Sequence, residues 1–227
     1  MILRALLIVL ALAGAAAAAP PDEAIMALDK YTTEKGKTLG IAFGPKLRRI
    51  YDTVYHCRPW LDVHKSGLGF SRPAGAPGDD RYLNVWVSVD QKITPEFVAL
   101  PPARRASAMF SRHGVDLLRQ LAADAEIFGH PALTGYSVIL TWLKPGGRTA
   151  DGEKTETVGV FADKASVRAL LARRMGAQEF VKRATIVAFD GQDRLGQLPL
   201  EIWEDNFAST YRPAGYEPED KHARCKA

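Results

Sequence analysis

The densest grouping of chemistry-bearing residues is His56-Cys57-Arg58-Pro59-Trp60-Leu61-Asp62-Val63-His64, which brings two imidazoles, a thiol, a carboxylate, a guanidinium and an indole within nine positions. Neutral imidazole and carboxylate suit zinc, so His56, Asp62 and His64 form the candidate metal set, and with it a candidate hydrolase or other metal-dependent enzyme. The competing reading is a helix C-terminus, where His56 and Arg58 complement the helix dipole and Trp60 packs over a disulfide. The spacing matches no fixed metal geometry, and the second reading is preferred.

Other clusters fit their chemistry less well. Lys35-Gly36-Lys37-Thr38 lacks the upstream glycine of a phosphate-binding loop, because Tyr31 stands there. Gly135-Tyr136-Ser137 lacks the glycine two residues after serine that a nucleophile elbow requires, the position being Ile139. Ser107, Ser111 and His113 share a helical stretch without an assignable orienting carboxylate. Glu201, Glu204 and Asp205 around Trp203 read as solvated charges at a strand end. Tyr82 and Trp86, with Tyr136 and Trp142, sit at alternating strand positions and could make a flat platform for a sugar or another planar ligand. No cofactor motif emerges.

These residues need elements to position them. Residues 22 to 57 read as two helical pieces, the first capped by Asp22 and the second opening at Gly44-Pro45. From Pro59 to Arg81 glycine and proline accumulate, which predicts a long surface connection. Tyr82 to Val89 alternates strictly and predicts a strand; Pro101-Pro102 opens a helix to about Asp124. Tyr136 to Lys144 and Lys154 to Phe161 are predicted antiparallel strands joined through Pro145-Gly146-Gly147 and Asp151-Gly152. A helix capped by Asp163 and divided near Gly176 follows, then strands at Ala184 to Asp190 and Leu195 to Trp203.

The order strand, helix, strand, strand, helix, strand predicts an α+β fold of ferredoxin-like βαββαβ order, with an additional C-terminal strand and N-terminal helices. Each main helix has one apolar stripe, so an antiparallel sheet with both helices on one face is expected. The organisation expected is a leader at 1–19, a helical segment at 20–58, a loop at 59–81, an α+β domain at 82–207 and a tail at 208–227.

The leader expectation rests on Arg4, the apolar run Ala5 to Ala13 and the small residues Ala15 to Ala19, which together read as a secretory signal peptide cut after Ala17 or Ala18. The apolar stretch falls short of the roughly 20 residues of a membrane-spanning helix. The alanine- and arginine-rich composition points to a bacterial envelope, so a periplasmic or secreted location is expected. The formal net charge is only +4, one unit of which leaves with Arg4. That slight excess favours anionic envelope components but makes no nucleic-acid footprint.

Together these features lead to an expectation of an exported, non-catalytic binding protein that recognises a protein partner or an envelope component. The candidate contact residues are Arg58, Trp60, Arg72, Arg81, Trp86 and Trp142, drawn from the 59–81 region and the aromatic strand positions.

In an oxidising compartment Cys57 and Cys225, the only two cysteines, are expected to form one disulfide tethering the tail to the end of the N-terminal helical segment. So long a loop would stabilise the fold by about 5 kcal/mol in the chain-entropy model. Mass spectrometry of the exported protein without reductant is expected to find both thiols resistant to alkylation. Alkylation at Cys57 and Cys225 would refute the pairing.

Overall fold

The computed structural model describes residues 22–58, 60–73, 78–90, 94–149 and 152–202. The leader, Cys225 and the tail lie outside that range, as do Pro59, Asp151, Trp203, Glu204 and Asp205.

Two short 3-10 turns, Asp22–Ala24 and Leu28–Lys30, precede α1 (Glu34–Cys57). The N-cap is Thr33, whose hydroxyl accepts from the Gly36 amide. The two helical pieces expected here are one continuous helix. Gly36 and Gly40 weaken a helix in isolation, but here they give room to the Tyr31 ring. A Cβ at position 40 would lie 2.6 Å from that ring. Tyr31 in turn accepts from the Phe70 amide at 3.4 Å, so the glycines join the helix to the sheet. Pro45 lies inside the helix and removes one backbone bond. Leu39, Phe43, Leu47, Ile50 and Val54 form a continuous buried stripe that carries the helix past it.

The expected loop after this helix is for the most part a strand, β1 (Leu61–Ser71), antiparallel to β2 (Arg81–Val89). The pattern of alternation hid it. Leu61 and Val63 point inward, but so do Leu68 and Phe70, because four residues of β1 stand against Trp86 alone. This bulge reverses the parity of the buried positions and breaks the period-two signal.

From β2 the chain crosses through α2 (Pro95–Val98), α3 (Pro102–Met109), a π-helical turn at Phe110–Gly114, α4 (Val115–Leu121) and α5 (Ala125–Gly129). It returns in β3 (Leu133–Thr149), which runs parallel to β2 as its immediate neighbour. Next come β4 (Gly152–Asp163), α6 (Lys164–Leu171), α7 (Ala177–Arg183), β5 (Thr185–Asp190) and β6 (Asp193–Gly196). Asp163 caps α6 through the Ser166 amide, as its position predicted, and the division expected near Gly176 falls between α6 and α7, with Gly176 as the N-cap of α7.

The fold is α+β, and the six strands among the described residues are ordered in the sheet as they are in the chain. Every neighbouring pair is antiparallel except β2 and β3. A ferredoxin-like sheet would insert another strand between the two parallel strands joined by the first helical crossing. Here β2 and β3 touch directly, with Leu83 opposite Tyr136 and Val87 opposite Leu140. From β2 onward the succession of strands and helices follows the expectation, with β1 added before it, while the order of strands in the sheet departs from it: hydrophobic periodicity defines an element but does not choose its partner. Two finer differences follow. Pro145-Gly146-Gly147 is an irregularity within β3, whose pairing with β4 continues to Thr149 and Gly152. The last strand among the described residues, β6, ends at Gly196, and Pro199 lies outside the ladder.

The register aligns the core in rows across the sheet. One row holds Leu68, Val85, Val138, Val160 and Ile186; the next holds Val63, Val87, Leu140, Val158 and Ala188. All ten are buried. The helices lie on this face: Phe43 of α1 meets Phe70 at 6.0 Å, and Phe128 of α5 stacks on Tyr136 at 5.7 Å. At the end of the face Trp142 and Glu156 meet Arg105 of α3 in a buried network. The Trp142 indole donates to Glu156 Oε2 at 2.8 Å, and Arg105 binds the same carboxylate.

His113 lies in the π-helical turn, 3 % exposed. Burial, with Arg112 and Arg58 nearby, pushes its imidazole down to about 3. The unfolded chain therefore binds a proton at this residue between roughly pH 6.5 and 3 that the native chain does not, and native stability is lost as pH falls through that window. Urea unfolding of wild type and His113→Phe at several pH values is expected to show the wild type losing stability more steeply below about pH 6.5. Parallel profiles would contradict a buried neutral imidazole.

Candidate functional site

The second face of the sheet carries Asp62, Gly69, Tyr82, Asn84, Trp86, Ser88, Ser137, Ile139, Thr141, Thr157, Gly159 and Phe161, the alternate positions of the paired strands. It is rich in hydroxyl, amide and aromatic groups where the first face is aliphatic. Trp86 is its most exposed large ring, at 39 %.

Backbone geometry fixes this ring. Within the β1 bulge Ser66 adopts a positive φ of 56°, unusual for a residue other than glycine. Gly67 follows, and a Cβ there would lie 2.7 Å from the His64 carbonyl and 2.8 Å from the Trp86 carbonyl, so only glycine lets the strands close. The buried Asn84 side chain donates to the Gly67 carbonyl at 3.0 Å, and Ser137 donates to Asn84 Oδ1 at 2.9 Å. These bonds satisfy the carbonyl that the bulge removes from the ladder.

The bulge returns His64 over the sheet, where its ring stacks on Trp86 with centroids 4.4 Å apart and planes 24° from parallel. On the far side of the indole, Trp86 Nε1 donates to Thr141 Oγ1 at 2.9 Å, and Thr141 and Thr157 share a hydrogen bond of 3.0 Å. The indole is thus held by a stacked imidazole and an anchored N–H. His64 Nε2 lies 2.8 Å from Ser88 Oγ. Burial lowers the imidazole's affinity for protons, and the nearby Asp62 carboxylate opposes this to a smaller extent. The ring is therefore neutral at neutral pH and can accept the Ser88 proton. Asp62, His64, Lys65 and Ser88 line a pocket of about 350 Å³ with Glu23 and Tyr51.

The structure gathers some of the sequence candidates and disperses others. Asp62 and His64 share this pocket, but His56 lies on α1, 3.3 Å from Asp52. Among the described residues no three metal-binding side chains converge, so the set His56, Asp62 and His64 is not assembled. Trp86 is on the surface as the platform reading requires. Trp142, expected beside it, is 3 % exposed because its register puts it on the helix-covered face, bonded to Glu156. Arg81 is equally buried and bound to Asp79 and Thr33, where it ties the start of β2 to the cap of α1. It is not a surface contact. Arg58 caps the end of α1 with Asp116 at 4.0 Å, Trp60 is half-buried, and Arg72 is exposed. The hydroxyls of Ser107 and Ser111 bond the carbonyls one turn back, at Ala103 and Ser107.

Sequence reasoning missed Ser88, Asn84, Gly67 and Thr141 as parts of a site. The alternation of β2 does place Asn84, Trp86 and Ser88 on one face. What it cannot show is that a bulge four residues long returns His64 to that face.

Comparison of the chain with protein-family models, with curated proteins and with solved structures finds no match. Its function is therefore argued from this site.

Gly67→Ala must displace backbone, because the atoms it would strike are carbonyl oxygens. It is expected to destabilise the protein by about 1–3 kcal/mol and to shift Trp86 emission as His64 leaves the ring. Gly129→Ala, which meets nothing within 4 Å, is the control. Equal unfolding midpoints and spectra for the two variants would show that the bulge does not depend on glycine.

Proposed function

We propose that this chain is an exported binding protein of the bacterial envelope and that its ligand is a carbohydrate component recognised at Trp86. The observation that carries the reading is an exposed indole held in one orientation by the His64 stack and the Thr141 bond. A sugar offers an apolar ring face to an indole and hydroxyls to its surroundings. Here the surroundings are Ser88, Thr157, Asp62 and the His64 imidazole, a mixture of donors and acceptors. A rigid aromatic also loses little entropy on binding.

Location enters from the sequence. The leader at 1–19 and the proposed Cys57–Cys225 bond both suit the periplasm or the exterior, and glycans are abundant there. Among the described residues no helix is long and apolar enough to cross a membrane. The slight positive charge favours an anionic glycan over a neutral one.

The test is titration of the mature protein with soluble fragments of envelope glycans, followed by tryptophan emission and calorimetry. Saturable binding is expected, weakened roughly tenfold or more by Trp86→Ala with the fold retained by circular dichroism. Binding unchanged in Trp86→Ala would remove the platform from the reading.

A further inference from the structure

We propose that Ser88 and His64 form a nucleophile–base pair that cleaves small carboxylic esters, such as an acyl group carried on the ligand held at Trp86. The naming of that carrier rests on the carbohydrate reading above; the assignment of the pair does not.

Three observations lead here. First, Ser88 Oγ and His64 Nε2 are at 2.8 Å, the contact through which an imidazole withdraws a hydroxyl proton. Second, the pair opens into a pocket of about 350 Å³, room for a short acyl group beside a larger carrier. Third, Asp62 is the direct cross-strand partner of Ser88 and belongs to the same pocket, so a carboxylate lies where it favours the imidazolium formed during reaction. Asp62 acts through His64 and is a positioning residue. Lys65, paired with Glu23 at 3.3 Å, supplies a cation on the pocket wall. The Gly67 bulge contributes pre-organisation: it holds the imidazole against Trp86, so the ring is not free to rotate away from Ser88.

The reaction balances with water as the only co-reactant. His64 Nε2 takes the Ser88 proton as Oγ bonds to the acyl carbon. The ester C–O bond then breaks, and the departing alcohol oxygen takes the proton from the imidazolium. Water attacks the acyl-serine, passing its proton to His64. The bond between the acyl carbon and Oγ breaks, Ser88 recovers the proton, and a carboxylic acid leaves.

The experiment uses the mature protein with 4-nitrophenyl acetate as substrate and a fluorophosphonate as covalent probe, which requires no glycan. Wild type is expected to turn over the ester and to be labelled at Ser88. Ser88→Ala and His64→Ala should each lose activity about 100-fold or more, while Ser71→Ala, on the same face outside the pocket, keeps it. Asp62→Asn should lower kcat with KM nearly unchanged. If either alanine variant fails to fold, labelling of wild type decides the question. Turnover no faster than in Ser88→Ala, or intact protein without phosphonate on Ser88, overturns the assignment. Failure of glycan binding with ester cleavage retained would overturn only the carbohydrate reading. Glycan binding without cleavage or label would overturn only the catalytic pair.

Discussion

The parallel contact between β2 and β3 is the constraint on which the rest of the molecule depends. Antiparallel neighbours can be joined by a tight turn, but parallel neighbours require a crossing that carries the chain from one end of the sheet to the other. That crossing is the helical stretch from α2 to α5, and it covers one face. Once that face is covered, it must be apolar, and its rows of valine, leucine, isoleucine and alanine run unbroken from β1 to β5. α1 packs on the same side through Phe43 and Phe70. Where the face does hold charge, Arg105 and Glu156 satisfy one another and Trp142, as burial of charge demands.

The polar chemistry therefore gathers on the other face. Its unusual feature is an orderly irregularity in β1. A bulge costs ladder bonds, and this one is compensated by Asn84 and Ser137, two buried polar side chains whose hydrogen bonds lead to the Gly67 carbonyl. The benefit of that arrangement appears three residues before Gly67, where the His64 imidazole is held against both the indole and the serine hydroxyl. Bulges commonly lie beside sites where a side chain must be re-aimed, and here the re-aimed side chain is His64.

Much of the framework was legible from residue types. The strict alternation of Tyr82 to Val89 marked β2 and sorted its two faces, the cap Asp163 marked α6, and Gly176 marked the break before α7. Two failures share one cause, the reading of glycine and proline as punctuation. In α1 the glycines are contact points for Tyr31, and in β1 Ser66-Gly67 is a bulge; in both, a tertiary neighbour overrides local propensity. The site was half visible. Trp86 and His64 were each singled out, but for different roles. Their meeting depends on a register shift that no count of spacings contains. Trp142 shows the converse: it alternates like Trp86 in a neighbouring strand, yet opposite parity in the register sends it into the core.

The agreement between strand order and chain order bears on how the protein reaches its native state. Each strand finds its partner in the segment just before it, so no pairing has to wait for a distant part of the chain, and the largest closure within the sheet is the single crossing between β2 and β3. Closure entropy rises with loop length, and topologies dominated by near neighbours fold faster than those that join remote segments. A chain that emerges amino terminus first can therefore add strands to a growing sheet in the order of their emergence, each new strand meeting a partner that is already in place.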